Sequence, residues 1–158
     1  MAHDWLFARR LAAGRIETDS GRRHSTLDLD ASLGYVEEVY RDYCGYAGVE
    51  GFSGTVGELG PGDNFGVALL ALHGGAREVH AIDRYYSRRD PEQQHAIYRA
   101  LAQRHDLGDR FRDGYDEDSI RGLSYHAGEP AEVFFRQSGI RFDAILSRAV
   151  MEHLYDPL

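Results

Sequence analysis

The stretch VGELGPGDNFGVALLALHGGAREVHAID, residues 56–83, constrains the fold more than any other part of the chain. An apolar segment at 55–59 runs into a loop holding Gly60, Pro61 and Gly62. The apolar segment NFGVALLALHGG follows, and then a second run, EVHAI, which ends on Asp83. Such runs, punctuated by glycine and too short to span a membrane, read as strand, buried helix and strand. A strand, a helix and a strand within about thirty residues form a parallel βαβ unit, because parallel neighbours need a crossover connection.

The rest of the chain extends this alternation. Val36, Val39, Tyr40 and Tyr43 fall at i, i+3, i+4 and i+7, which predicts an amphipathic helix from Ser32 to near Gly45 or Gly48. Tyr35, Tyr40, Tyr43 and Tyr46 are expected to thicken its inward face, as packing or as a lid over a ligand. In DPEQQHAIYRALAQRHDLG, Asp90 is the expected cap, Pro91 the first helical residue and Gln93 the partner in a capping box. Ile97, Ala100 and Leu101 supply its inward stripe, and Gly108 its expected end. LSYHA (123–127) and FDAILS (142–147) read as a third and a fourth strand, with AEVFFRQSG (131–139) as a short helix between them. The order predicts a three-layer α/β/α fold around a parallel sheet. Residues 1–31 are expected to hold a short N-terminal helix and, at 15–31, a polar aperiodic connector, ahead of one α/β domain at 32–158.

Composition narrows the function. With 158 residues the chain suits one domain, and a net charge of −8 offers no overall attraction for nucleic acid or an anionic membrane. The segment 1–15 is interrupted by Asp4, Arg9 and Arg10, so it does not read as a signal peptide, and no run reaches the length of a membrane span. A single cysteine, Cys44, allows neither an intrachain disulfide nor a multi-cysteine zinc site and favours a reducing cytoplasm. The eight histidines show no H-x-x-x-H or H-E-x-x-H spacing, so no metal is expected.

A loop from the carboxyl end of a parallel strand to a helix N-terminus presents backbone N–H groups, and glycine lets a ligand approach them. An acid at the end of the second strand can accept hydrogen bonds from both ribose hydroxyls, and Asp83 lies twenty-one residues after Gly62. Nicotinamide dinucleotides prefer G-x-G-x-x-G, whereas here the third position after Gly62 is Phe65 and glycine arrives one later, at Gly66. Glu58 and Asp63 flank the loop and would repel a pyrophosphate. S-Adenosylmethionine has no phosphate and carries a cationic amine and a sulfonium, so the acids favour it.

These residues resemble a family. ELGPGDNFG is similar to the acid-x-G-x-G loop of class I S-adenosylmethionine-dependent methyltransferases, and HAIDRY to their second-strand motif with its ribose acid. FDAILSRAVMEHLYDP is similar to their fourth-strand segment and the Glu-His helix after it, which in this chain carries Glu152 and His153. The three blocks occur in family order and cover roughly residues 33–158. Asn64 stands where many members place a third glycine; asparagine tolerates a left-handed backbone better than most residues, so the turn is expected to survive.

The resemblance implies a Rossmann-like fold and S-adenosylmethionine as cofactor. Glu58 would bind the amino group of the methionine part, which would pass close to Gly60 and Gly62, with Pro61 between them. Asp83 would hold the ribose and Arg84 would lie beside the adenine. Glu129 or Glu132 would contact the adenine amine, and Ser147 would line the methyl-donor pocket. No catalytic residue and no methyl acceptor are assigned. The family sheet has the order 3-2-1-4-5-7-6, of which this chain supplies 3-2-1-4. Strand four is therefore expected at an edge, to be covered by a further segment of a longer protein or by a partner such as a second copy. Two other readings stand beside this one: an NAD(P)-dependent oxidoreductase, favoured by Gly66, and a truncated non-catalytic Rossmann-like scaffold, favoured by the missing strands and the tyrosine-rich helix.

Overall fold

The computed structural model describes residues 17–18, 22–148 and 150. The expected N-terminal helix and the Glu152–His153 segment lie outside the described residues. Helix α1 (Leu29–Ala47) starts three residues earlier than the apolar spacing suggests, because the Asp28 carboxylate accepts the Ala31 N–H at 2.8 Å and caps it. Its inward face is Leu33, Val36 and Val39. Tyr40 packs edge-on against Phe52, whereas Tyr46 is 90% exposed and does not belong to that face.

Four strands follow, alternating with helices. They are β1 (Gly54–Leu59), β2 (Ala76–Asp83), β3 (Leu123–Ala127) and β4 (Ala144–Ser147). Between them run α2 (Gly66–His73), α3 (Pro91–His105) and α4 (Ala131–Ser138). All four strands are parallel and lie side by side as β3-β2-β1-β4, the order the sequence implies for a partial Rossmann-like sheet. Among the described residues β4 pairs only with β1, and Ile145 on it is 50% exposed.

Two layers of apolar side chains flank the sheet. On one side α1, α2 and α3 enclose the larger core, in which Val67, Ala68, Leu69, Leu70, Ala71 and Leu72 of α2 are all buried. Each fully buried leucine there contributes about 1.5–3 kcal/mol. On the other side Ala131 and Phe134 of α4 close over Leu59 and Ile82. Helix α3 has the expected Asp90 cap, accepting from Glu92 and Gln93 N–H. The capping box does not close, because the Gln93 amide instead donates to the His24 carbonyl at 2.6 Å. The helix ends at His105, ahead of Gly108, with Asp106 in the left-handed region.

The segment read as an aperiodic connector is partly ordered by distant residues. Glu17–Thr18 pairs in parallel with Tyr86–Ser87, a second small sheet that no local pattern announces. His24–Thr26 forms a 3-10 turn whose His24 and Ser25 N–H groups donate to the Asp63 carboxylate at 3.4 and 3.2 Å. No helix among the described residues is long and apolar enough to cross a membrane.

The β1–α2 connection depends on Asn64. Its Oδ1 accepts the Gly66 N–H at 2.6 Å while its Nδ2 donates to Gln94 Oε1 at 2.6 Å, both in the buried interior. Asn64→Ala therefore strands a buried donor and a buried acceptor, and is expected to lower stability by about 2–4 kcal/mol in urea denaturation with an unchanged m-value.

Candidate functional site at the carboxyl edge of the sheet

Because the strands are parallel and in register, their carboxyl ends meet at one edge. Leu59 lies opposite Ile82 and Ser147, and Asp83 opposite Ala127. Three backbone groups join the loops there. The Gly60 N–H donates to the Ile82 carbonyl at 2.9 Å, the Gly128 N–H donates to the Asp83 carbonyl at 3.0 Å, and the Gly62 N–H faces the Asp83 carboxylate.

Gly60 and Gly62 carry the turn, with φ of 66° and 69°, and half-buried Pro61 sits between them. A Cβ on Gly60 would also run into the Val150 side chain. Asn64 does not need a left-handed backbone: Asp106 is the one non-glycine residue with positive φ among the described residues. The two glycines complete the reversal, so Asn64 serves as a hydrogen-bonding bracket instead. The first amides of α2 are occupied from within the chain, Phe65 N–H by the Tyr98 hydroxyl at 3.0 Å and Gly66 N–H by Asn64.

Glu58, the last residue but one of β1, is 5% exposed, and its Oε2 is buried without a hydrogen-bond partner among the described residues. Burial pushes its carboxyl up to about 8, with the Arg89 cation opposing and Asp83 adding to the rise. Asp83 is only partly exposed. Burial raises its carboxyl, while the N–H groups of Tyr85, Gly62 and Arg84 and the charge of Arg89 pull it back down. Asp63 does not face the loop as a free charge, since it is buried and holds the His24–Thr26 turn. Electrostatic repulsion of a phosphate by both acids therefore does not operate as the sequence suggests.

The other expected residues divide. Arg84 follows Asp83 directly and reaches over the Tyr85 ring, with 5.4 Å to the centroid. Glu129 follows Gly128, the residue tied to Asp83, so it belongs to the same edge, while Glu132 lies in the first turn of α4. Ser147 is at the tip of β4 with its Oγ buried and unpartnered among the described residues, but its register places it beside Leu59 and one step past Glu58.

Sequence reasoning missed Arg89. Its side chain is 10% exposed, and its guanidinium lies between the rings of Phe65 and Tyr125, at 4.1 and 4.3 Å from their centroids. It donates to the Gly62 carbonyl at 3.1 Å and pairs with Glu117 at 3.5 Å. The DRYYSRRD segment shows the arginine but no local signal that it turns inward. Tyr43 of α1, one of the tyrosines read as packing or a lid, stands near Glu58: burial chiefly, with the Glu58 charge beside it, raises its hydroxyl.

The edge therefore gathers an unpartnered buried carboxyl, a second carboxylate over a glycine turn, and one buried cation. No group of three or more His, Cys, Asp or Glu side chains that could hold a metal is found among the described residues. Comparison with family models, curated proteins and solved structures finds no match to the chain.

The Glu58 carboxyl binds its proton more tightly in the folded chain than in the unfolded one. Its contribution is thus intact below the unfolded value of 4.5 and is lost as pH rises toward 8. Glu58→Gln removes this dependence. Between pH 5 and pH 8 the parent chain should lose a few kcal/mol more stability than E58Q, read by denaturant titration at both pH values.

Proposed function

We propose that this chain is the donor-binding half of an S-adenosylmethionine-dependent methyltransferase. The observation that carries the reading is the buried, unpartnered Oε2 of Glu58, set two residues before the left-handed turn at Gly60 and Gly62 and across that turn from Asp83. A buried carboxyl oxygen without a donor suits a ligand that brings one, such as the ammonium of an amino acid. Asp83, tied to the turn, suits a ribose diol. Gly60 and Gly62 give the turn its left-handed backbone, over which this reading has the methionine part pass; the Cβ position of Gly60 is taken by Val150.

The N-terminus of α2 supports this ligand over a dinucleotide. A pyrophosphate site needs free N–H groups at the start of that helix, and Phe65 and Gly66 donate theirs to Tyr98 and Asn64. Gly66 is also occupied structurally, since a Cβ there would stand 2.8 Å from the Val36 methyls. A ligand without phosphates needs none of these amides.

Bound S-adenosylmethionine supplies a sulfonium, so methyl transfer is an in-line displacement with a ready leaving group. The chain's residues hold and orient: Glu58 the amino group, Asp83 the ribose, and Arg84 with Glu129 the surroundings of the adenine. Arg89 keeps Gly62 in place from below through its carbonyl. A cytoplasmic location forms part of the same proposal and rests on the lone Cys44.

Titration calorimetry with S-adenosylhomocysteine checks the reading. The parent chain should bind it, and Asp83→Ala should weaken binding about ten- to a hundredfold through loss of charged hydrogen bonds, with the fold retained by circular dichroism. Stabilisation by NADPH with none by S-adenosylhomocysteine would reverse the assignment.

A further inference from the structure

The state of Glu58 before a ligand arrives bears on how the donor binds. Its Oε2 is buried and unpartnered among the described residues. The guanidinium that acts on Glu58, Arg89, is engaged with the Gly62 carbonyl, Glu117 and two aromatic faces, and its Nε is buried without a partner among the described residues and does not hydrogen-bond Glu58. The titratable and charged groups around Glu58 are Arg89 from the β2–α3 connection, Asp83 from the end of β2, Tyr43 from α1 and Tyr98 from α3. Arg148 acts on Tyr43 from beyond β4. Apart from Arg89, the neighbours in direct electrostatic contact are a second acid and two phenols, none of which favours a carboxylate. An ionised carboxylate deprived of water and of donors is strongly disfavoured, whereas a neutral carboxyl group tolerates the same surroundings.

An ammonium group reverses the balance. It has donors only, so it is best met by an acceptor-only carboxylate, and it brings the compensating positive charge into the same low-dielectric volume. We propose that Glu58 is a carboxylic acid in the free chain and a carboxylate in the donor complex, so that donor binding releases one proton from Glu58 to solvent. The step balances: the Oε–H bond breaks, the proton passes to buffer, and the carboxylate accepts a hydrogen bond from the ligand's ammonium. The inference rests on the donor reading above and adds a proton to its binding equation. It makes the affinity for the amino-acid part of the ligand depend on pH in a range where neither the ligand's amine nor its carboxylate changes charge.

The test is calorimetry of S-adenosylhomocysteine binding in phosphate and in Tris, which differ widely in ionisation enthalpy. At pH 6.5 the difference in observed enthalpy should correspond to about one proton released per site. Affinity should rise about tenfold per pH unit between pH 6 and 7 and level off above 8. In Glu58→Gln both the released proton and the pH slope should vanish. The carbon-13 shift of the Glu58 carboxyl, assigned by its absence from the E58Q spectrum, should move to the ionised position when ligand is added. Binding with equal enthalpies in both buffers, a released proton that persists in E58Q, or a Glu58 carboxyl already ionised in the free chain would each overturn the proposal alone. Absence of any binding at every pH would overturn the donor reading and this proposal together.

Discussion

The rest of the molecule depends on one constraint: the central strand β1 must turn back into a helix that is buried from Gly66 to Leu72 within the six residues 60–65. Gly62, Asp63, Asn64 and Phe65 in that turn are all buried, so their polar groups must find partners inside the protein. Gly60 reaches β2 through Ile82, Asp63 takes two amides from the N-terminal turn, Asn64 brackets α2 and Gln94, and Tyr98 takes the Phe65 amide. Together these bonds reach β2, the N-terminal turn, α2 and α3. The loop is thus the point at which α3, the N-terminal segment and the sheet are held to one another.

That arrangement leaves Glu58 as the exception. Its neighbours along the turn are satisfied, whereas its own Oε2 has no partner among the described residues. A protein that needed only to fold would gain stability from a glutamine or an apolar residue there. On the donor-binding proposal, the partner of this carboxyl would arrive with the ligand. Arg89 moderates the same region, because its charge opposes the rise at Glu58 and Asp83 while its planar group fills the space between Phe65 and Tyr125. Lysine could supply the charge but neither the stacking nor the fork of donors.

Much of the fold was legible because its strands and helices are marked by runs of local pattern. LSYHA appears in the structure with the bounds read from the sequence, AEVFFRQSG forms a helix that stops at Ser138 with Gly139 as its cap, and Asp90 caps α3 as its position announced. The sequence also placed Glu58, Gly60, Gly62 and Asp83 at one sheet edge, since parallel strands bring their carboxyl ends together whatever the details of packing. What stayed hidden depends on contacts between residues far apart in the chain. Asp63 looked like a charge facing the ligand and is instead a cap for residues 24 and 25; Gln93 looked like half of a capping box and instead holds the His24 carbonyl. Arg89 went unremarked in the sequence. Its burial needs Phe65, Tyr125 and Glu117 at once, and no window along the sequence contains all of these residues.

The most direct test of the account is a crystal structure of the chain with S-adenosylhomocysteine. The account predicts the ligand's amino nitrogen within hydrogen-bond distance of the Glu58 carboxyl, its ribose hydroxyls on Asp83, and its chain passing over the turn at Gly60 and Gly62. A ligand bound elsewhere, or bound at this edge with its amino group turned away from Glu58, would contradict it.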